Sequence, residues 1–505
     1  MYRSGQGGVL QIFALLLLIE YAKVMNKSIF LGLLDFEKAF DFTNRSVLIS
    51  DLMKKGIGKG LVQAIYSMYL DTAYTPKLSK NLIGDEIITN FGVTQGRKTS
   101  GTLYACTISD MPDSIKTINT NDFMDPNCLA QVADDTSIIA ENLDSLKMKF
   151  QSIFDYTVQK HQHINAGKTK YMHMSRNPTR EPIELEKGEF IEAMDEKEGY
   201  SFIGFKLTYT DDIYELVKNN LNSKMFNVPK FYAWLEYNET TPFFIKIKVL
   251  NSCLFQALLY SSEAWGNLTE IESELRSMEQ KALKCCLGIK SGTTNDITYF
   301  EINKPDIIAS IKDRQHSFGM KIRNLGPGEA LVKEIWNFCV YQNYPGTNLI
   351  SYYKDLNGKE CMRNIEERKA RIETSSQTMC TRYKQLIGMN YCSVLYDTCL
   401  DDTKRTIITR WRLSSHKLKI EKGRYTRPVT NEEDRKCKVC LVVEDERHAI
   451  IHCRAHRLIR DRYKDRINFD FELCDILNPR SIAEANYLAS FLNELEENMD
   501  DLKMV

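Results

Sequence analysis

Two apolar runs in this chain end on acid, and that pairing limits the fold more than any other feature. Ile29–Phe36 reads IFLGLLDF, the continuous apolar run of a strand buried on both faces, and its only charge is Asp35. About one hundred residues later, Cys128–Ala140 (CLAQVADDTSIIA) sets Asp134 and Asp135 between two apolar halves, the pattern of a hairpin. Adjacent aspartates repel each other, and tight turns favour Gly at the second position. A wide exposed turn would tolerate them; a divalent cation would offset them. Carboxylates at strand ends suit Mg²⁺, which prefers oxygen ligands and shares its shell with water and substrate phosphates. Two such ions serve nucleotidyl transfer, a reaction that asks mainly for positioning and charge neutralisation.

The pattern around these acids is mixed. Apolar spacing predicts helix from Ser46 to Leu70, strand from Ile87 to Val93, helix from near Thr99 through Met111, and an amphipathic helix over Met148–Val158. Short strands follow at Tyr171–Met174 and Phe202–Leu207. Beyond residue 207 the chain reads as mostly helical. Phe243–Leu287 is a long periodic stretch, and residues 291–400 are charged and helical with breaks near Pro327 and Pro345. The last helix ends on Glu494, Glu496, Glu497, Asp500 and Asp501, a tail expected to be solvated. Val9–Ala22 is apolar after Arg3 and resembles a signal peptide, but it holds Gln11 and Glu20, lacks an Ala-x-Ala cleavage site and is too short to span a bilayer. A buried helix leading into the first strand is the expectation there, with no membrane association.

Charge is balanced, with 67 Lys plus Arg against 67 Asp plus Glu, so any phosphate-binding surface must be local. The fourteen Cys are mostly scattered, which favours free thiols in a reducing compartment, the cytoplasm or nucleus, over secretion. Cys437-x-x-Cys440, His448 and Cys453 break that scatter with the spacing of a closed structural zinc site. His452 and His456 are alternatives to His448, and a redox pair would need neither His448 nor Cys453. Just upstream, Lys404–Arg427 carries nine Lys or Arg against one acid, Glu421, with Trp411, His416 and Tyr425 interleaved. That composition suits phosphate contacts and base stacking, with Arg410, Trp411, Arg412, Lys417 and Arg424 as candidates; a solvated basic helix would look similar.

Taken in order, the motifs resemble those of non-LTR (LINE-type) retrotransposon reverse transcriptases. Asp35-Phe36-Glu37-Lys38-Ala39-Phe40-Asp41 resembles their first palm motif, and Val132-Ala133-Asp134-Asp135 their aromatic-x-Asp-Asp motif. Between them, Gly92-Val93-Thr94-Gln95-Gly96-Arg97-Lys98-Thr99-Ser100-Gly101 resembles the template and nucleotide loop. Asn165–Lys170 resembles the next motif, Phe202-Ile203-Gly204-Phe205 the primer-grip hairpin, and Tyr260, Glu263 and Trp265 the closing segment of the thumb. Arg412–Leu418 and Glu421–Tyr425 resemble the segment before the family's zinc motif. Val132 stands where the family has an aromatic, and Gly101 where it has Pro.

The resemblance implies an RNA-directed DNA polymerase with two Mg²⁺ held by Asp35, Asp134 and Asp135, and a structural Zn²⁺ on Cys437, Cys440, His448 and Cys453. Phe40 would exclude a 2′-hydroxyl, Gln95 and Gly96 would meet nucleotide and template, and Lys168 or Lys170 would offset pyrophosphate charge. The implied partners are an RNA template, a DNA primer or target, and deoxynucleoside triphosphates. The implied architecture is an α+β right hand: 1–28 a remnant of fingers, 29–207 palm, 208–290 helical thumb, 291–403 helical connection, and 404–505 the basic segment, small zinc-binding module and helical tail. With few residues ahead of Asp35, the chain looks N-terminally truncated relative to the family. Two alternatives stay open: a non-catalytic nucleic-acid-binding remnant, and an RNA-templated RNA polymerase, which Phe40 speaks against.

Overall fold

The structure, a computed structural model, describes residues 7–70, 72–77, 79, 83–115, 129–132, 135–175, 177–185, 188–195, 199–208, 213–326, 331–341 and 349–504. The chain divides into two compact units. One comprises Met1–Asn220, Glu263–Asn267 and Ser317–Leu356; the other comprises Leu221–Ser262, Leu268–His316 and Asn357–Val505.

In the first unit the apolar N-terminal segment forms α1 (Gly8–Val24), buried from Ile12 through Ile19. A helix that is apolar all round needs cover all round. Helix Leu331–Tyr341 packs along it, as do two strands of the sheet. The Phe13 ring meets Phe318, Trp336 and Tyr353 at centroid distances of 5.3, 6.3 and 5.0 Å. Glu20, the one acid of the helix, accepts the Leu349 backbone N–H. The expected buried helix is therefore present, and much of its cover comes from residues three hundred positions away, beyond the reach of local pattern.

Among the described residues ten strands follow: β1 (Ile29–Leu34), β2 (Ala73–Tyr74), β3 (Ile87–Ile88), β4 (Leu129–Val132), β5 (Asp135–Ala140), β6 (Lys170–Met174), β7 (Ile183–Glu184), β8 (Phe190–Ala193), β9 (Tyr200–Phe202) and β10 (Phe205–Leu207). Six of them form one sheet in the order β4-β5-β1-β6-β8-β7, antiparallel except for the β6–β8 pair. β1 lies inside this sheet and all six of its residues are buried, which explains its unbroken apolar run. Beside the sheet the unit also holds helices α2 (Arg45–Lys54), α3 (Lys59–Tyr69), α4 (Ser100–Ile108) and α5 (Leu143–Lys160). α5 packs on β1 and β5. Gly32, in the middle of β1, makes room for it: a Cβ there would stand 2.6 Å from the Phe150 ring. Behind this face Lys160 bonds Asp51 at 2.7 Å and Asp110 at 2.8 Å, and Tyr156 also donates to Asp110.

Three expectations need correction. The helix predicted over Ser46–Leu70 is two, α2 and α3, parted at Gly56 with φ +78°. The strand predicted over Ile87–Val93 is only Ile87–Ile88, paired with the two residues of β2, and the chain turns further on at Gly92 with φ +86°. The continuous helix suggested by Phe243–Leu287 is broken into Phe243–Val249, a π-helical turn Leu250–Phe255, and Glu272–Leu287. Ser261 (φ +63°) and Gly266 (φ +75°) leave the helical region between them, and apolar periodicity does not register single turns of backbone. Pro327 and Pro345 lie outside the described residues.

The second unit is helical. Helix Asp402–Arg412 packs against Ile482–Met504 around Ile408, Trp411, Leu488 and Leu492. The terminal helix is thus more than a solvated tail: Leu488, Phe491, Leu492 and Leu495 are buried, and Glu496 accepts the Trp411 indole N–H at 3.1 Å. No described helix is long and apolar enough to cross a membrane.

Candidate active site and metal centre

The sheet brings the acidic strand ends together. β1 and β5 pair Leu34 with Thr136, and one step further along the ladder stand Asp35 and Asp135. β4 meets β5 through Val132 and Asp135. Ala133 and Asp134 lie outside the described residues. Asp35 is held by its backbone: its N–H donates to Thr169 Oγ1 at 3.3 Å, and its carbonyl accepts the Asn165 N–H at 2.8 Å. Its side chain is 41% exposed, and Lys168 Nζ lies 3.8 Å from Oδ2 with its own side chain 71% exposed. An ion pair so open to water is worth little, so the carboxylate stays open to a ligand. Lys170 opens β6 instead, opposite Leu33 on one side and Glu192 on the other. Hard oxygen donors at a solvent-facing strand end fit a hydrated divalent cation.

Two loops are stitched beside these acids. Val93 N–H donates to the Phe40 carbonyl at 2.9 Å, and Gly92 N–H to Thr43 O at 2.8 Å. The Arg45 guanidinium crosses behind them, bonding Gly92 O, Tyr69 O and Thr89 O. Only glycine fits at 92, since a Cβ would lie 2.8 Å from Asp41 O. Gln95 Nε2 reaches Asp41 Oδ1 at 3.5 Å, and Gly96 is exposed with φ +83°. Phe40 and Gln95, named separately from the sequence, thus sit on joined loops. The half-buried Phe40 ring stacks on Tyr104, with centroids 5.0 Å apart and planes at 28°. Thr169 and Tyr104 were not singled out from the sequence. Thr169 lay inside a motif segment and Tyr104 three residues beyond one, so proximity in the chain was the available signal.

The second cluster is closed. One ligand atom each from Cys437, Cys440, His448 and Cys453 lies within 4.8 Å of the others. Cys437 and Cys440 are held by a tight turn in which Leu441 N–H donates to Cys437 O and Cys437 N–H to Val442 O. The Arg454 N–H points at Cys440 Sγ, at 3.3 Å. The buried His448 Nε2 has no hydrogen-bond partner, an orphan that a metal ion would satisfy. Burial pushes the Cys453 thiol up to about 12 and lowers the His448 imidazole. At Cys440 burial acts upward too, but the Arg454 N–H and the neighbouring thiols bring it below the usual thiol range. Four soft or borderline donors at this spacing fit tetrahedral Zn²⁺. His456 is buried, and burial lowers it to about 4, but it stands outside the four-donor group. A cavity of about 270 Å³ opens beside the cluster, lined in part by Lys417, Lys419, Lys422 and Lys438.

The basic segment is where composition misleads. Trp411 and Arg412 are wholly buried, so neither can meet a base or phosphate in the folded chain. Arg412 pairs with Glu301 at 2.6 and 3.0 Å, both side chains fully enclosed, and also bonds Leu477 O. Arg410 is half-buried on Gly288 O, and Arg424 is drawn to Glu421 at 3.4 Å. His416 is buried against Glu446 at 2.8 Å. Of the five candidates, only Lys417 is exposed; Tyr425, also 58% exposed, adds an accessible ring.

Residues 5–207 match the family model described as reverse transcriptase (RNA-dependent DNA polymerase). No curated protein matches the chain. The match supports a reverse transcriptase domain within a mixed α and β structure, and such a domain implies a nucleic-acid template and deoxynucleoside triphosphate substrates.

Proposed function

We propose that this chain is the RNA-directed DNA polymerase of a non-LTR retrotransposon. It would extend a primer 3′-hydroxyl with deoxynucleoside triphosphates on an RNA template. The observation that carries the reading is the strand register that follows Leu34 and Thr136 with Asp35 and Asp135. In this reading residues 29–207 are the palm, 1–28 belong to the fingers, 208–290 are the thumb, 291–403 a helical connection, and 404–505 the nucleic-acid-binding end. The work would take place inside the cell, in cytoplasm or nucleus.

Asp35, Asp134 and Asp135 would hold two Mg²⁺. When bound, the ions would activate the attacking hydroxyl and neutralise the leaving pyrophosphate. The chain's own residues do the rest. Lys168, beside Asp35, adds positive charge where triphosphate oxygens collect. Lys170, built into the ladder, is the weaker candidate for that task. Phe40 closes the space a 2′-hydroxyl would need, and the loop of Gln95 and Gly96 lets backbone approach nucleotide and template. The Cys437, Cys440, His448 and Cys453 set would hold Zn²⁺ as a structural pin, and Lys417 with its neighbouring lysines would contact phosphates of RNA or DNA.

Primer extension on an RNA template with Mg²⁺ and deoxynucleotides tests this. The parent chain should extend, and Asp134→Ala with Asp135→Ala should lower the rate on the order of 10³-fold or more. A folded parent chain that binds RNA yet never extends a primer would leave a nucleic-acid-binding protein without polymerase activity.

A further inference from the structure

We infer that Tyr104 is a positioning residue that fixes the Phe40 ring as the boundary on the sugar's 2′ side. The inference rests on the polymerase reading above. Steric selection between two sugars that differ by one hydroxyl needs a wall that does not yield. The backbone around Phe40 is tied down by Val93 and by Gly92, but those bonds leave the ring free to turn about its own side-chain torsions.

What limits the ring is its broad face on Tyr104, at 5.0 Å and 28°, an offset stack. Tyr104 is wholly buried on α4, within the cluster that also holds Phe36, Ala39, Val93 and Leu103. α4 in turn is anchored to the loop ahead of it by Ser100 Oγ, which donates to Thr94 O at 2.6 Å. Thr94 precedes Gln95. The wall beside the sugar and the loop that meets the template thus share one support. Without the Tyr104 ring, Phe40 can tilt into the vacated space and the slot for the sugar widens.

The test measures, in one preparation, the ratio of deoxynucleotide to ribonucleotide incorporation on an RNA template. A ratio cancels the fraction of folded enzyme, so lost stability alone leaves it unchanged. Tyr104→Leu should lower the ratio by about tenfold. Tyr104→Met, unbranched and flexible enough to fill the site differently, should lower it too and guards against a variant that does not fold. Tyr104→Phe should keep the parent ratio, because the ring and not the hydroxyl forms the stack. Slower incorporation in Tyr104→Leu and Tyr104→Met with an unchanged ratio would overturn the inference and leave Tyr104 as core packing. A parent chain inactive with either nucleotide would overturn the polymerase reading, and the inference with it.

Discussion

The strand-end acids and the Cys/His centre both gather metal-type donors, and they part company on exposure. Asp35 is 41% exposed and Asp135 half-buried. Cys437, His448 and Cys453 are at most 7% exposed. A structural zinc site uses all four positions on protein donors and hides them; a catalytic cation leaves positions for water and substrate. The same division runs through ordinary charges. Lys168 meets Asp35 in open solvent, whereas Arg412 and Glu301 are sealed from it. On the proposed reading, groups that would meet a substrate stay wet, and groups that hold the fold are enclosed and paired.

The largest expected effect would come from breaking the closed centre. Cys453→Ser should take zinc content from one ion per chain to near zero and release residues 436–456 to limited proteolysis, since such a site is worth about 10 kcal/mol to its local fold. Retained zinc with an intact module would move the ligand set elsewhere, to His456 first. Next in size is the buried pair. Arg412→Ala strands the Glu301 carboxylate and should cost about 3–5 kcal/mol, read as a fall in the denaturant midpoint. If stability holds while RNA affinity drops, the assignment of Arg412 to the core is wrong. The smallest effect belongs to the open site. Lys168→Ala should shift stability by less than about 1 kcal/mol while raising the deoxynucleotide KM several-fold. A large loss of stability there would erase the contrast between the two regions.

The sequence made some of this legible for identifiable reasons. β1 declared itself because a strand covered on both faces carries no polar position to interrupt it. α5 showed because one face packs on the sheet and the other meets water. The four zinc-type donors, His448 among them, were readable because their spacing is local, and the fold leaves the alternatives His452 and His456 outside the group. What stayed hidden was nonlocal or turned on one torsion. Glu301 lies 111 positions from Arg412, so a run of basic residues gave no hint that one of them was already neutralised. Trp411 looked like a stacking platform because composition counts an aromatic without saying which way it faces. Gly92 was visible as a motif residue, but not as the point where the chain turns against the carbonyl of Asp41.

Gly92 also decides which of two loops is free to vary. The contact that excludes a side chain there is with the carbonyl of Asp41, an atom that every residue carries. Position 41 can therefore change its side chain without touching that contact, losing only the bond from Gln95 Nε2, while position 92 cannot accept even a methyl group. In a lineage of such chains the two loops would not drift at equal pace. One side of the joint supplies common backbone and keeps its freedom, and the other supplies an emptiness that only one amino acid can leave.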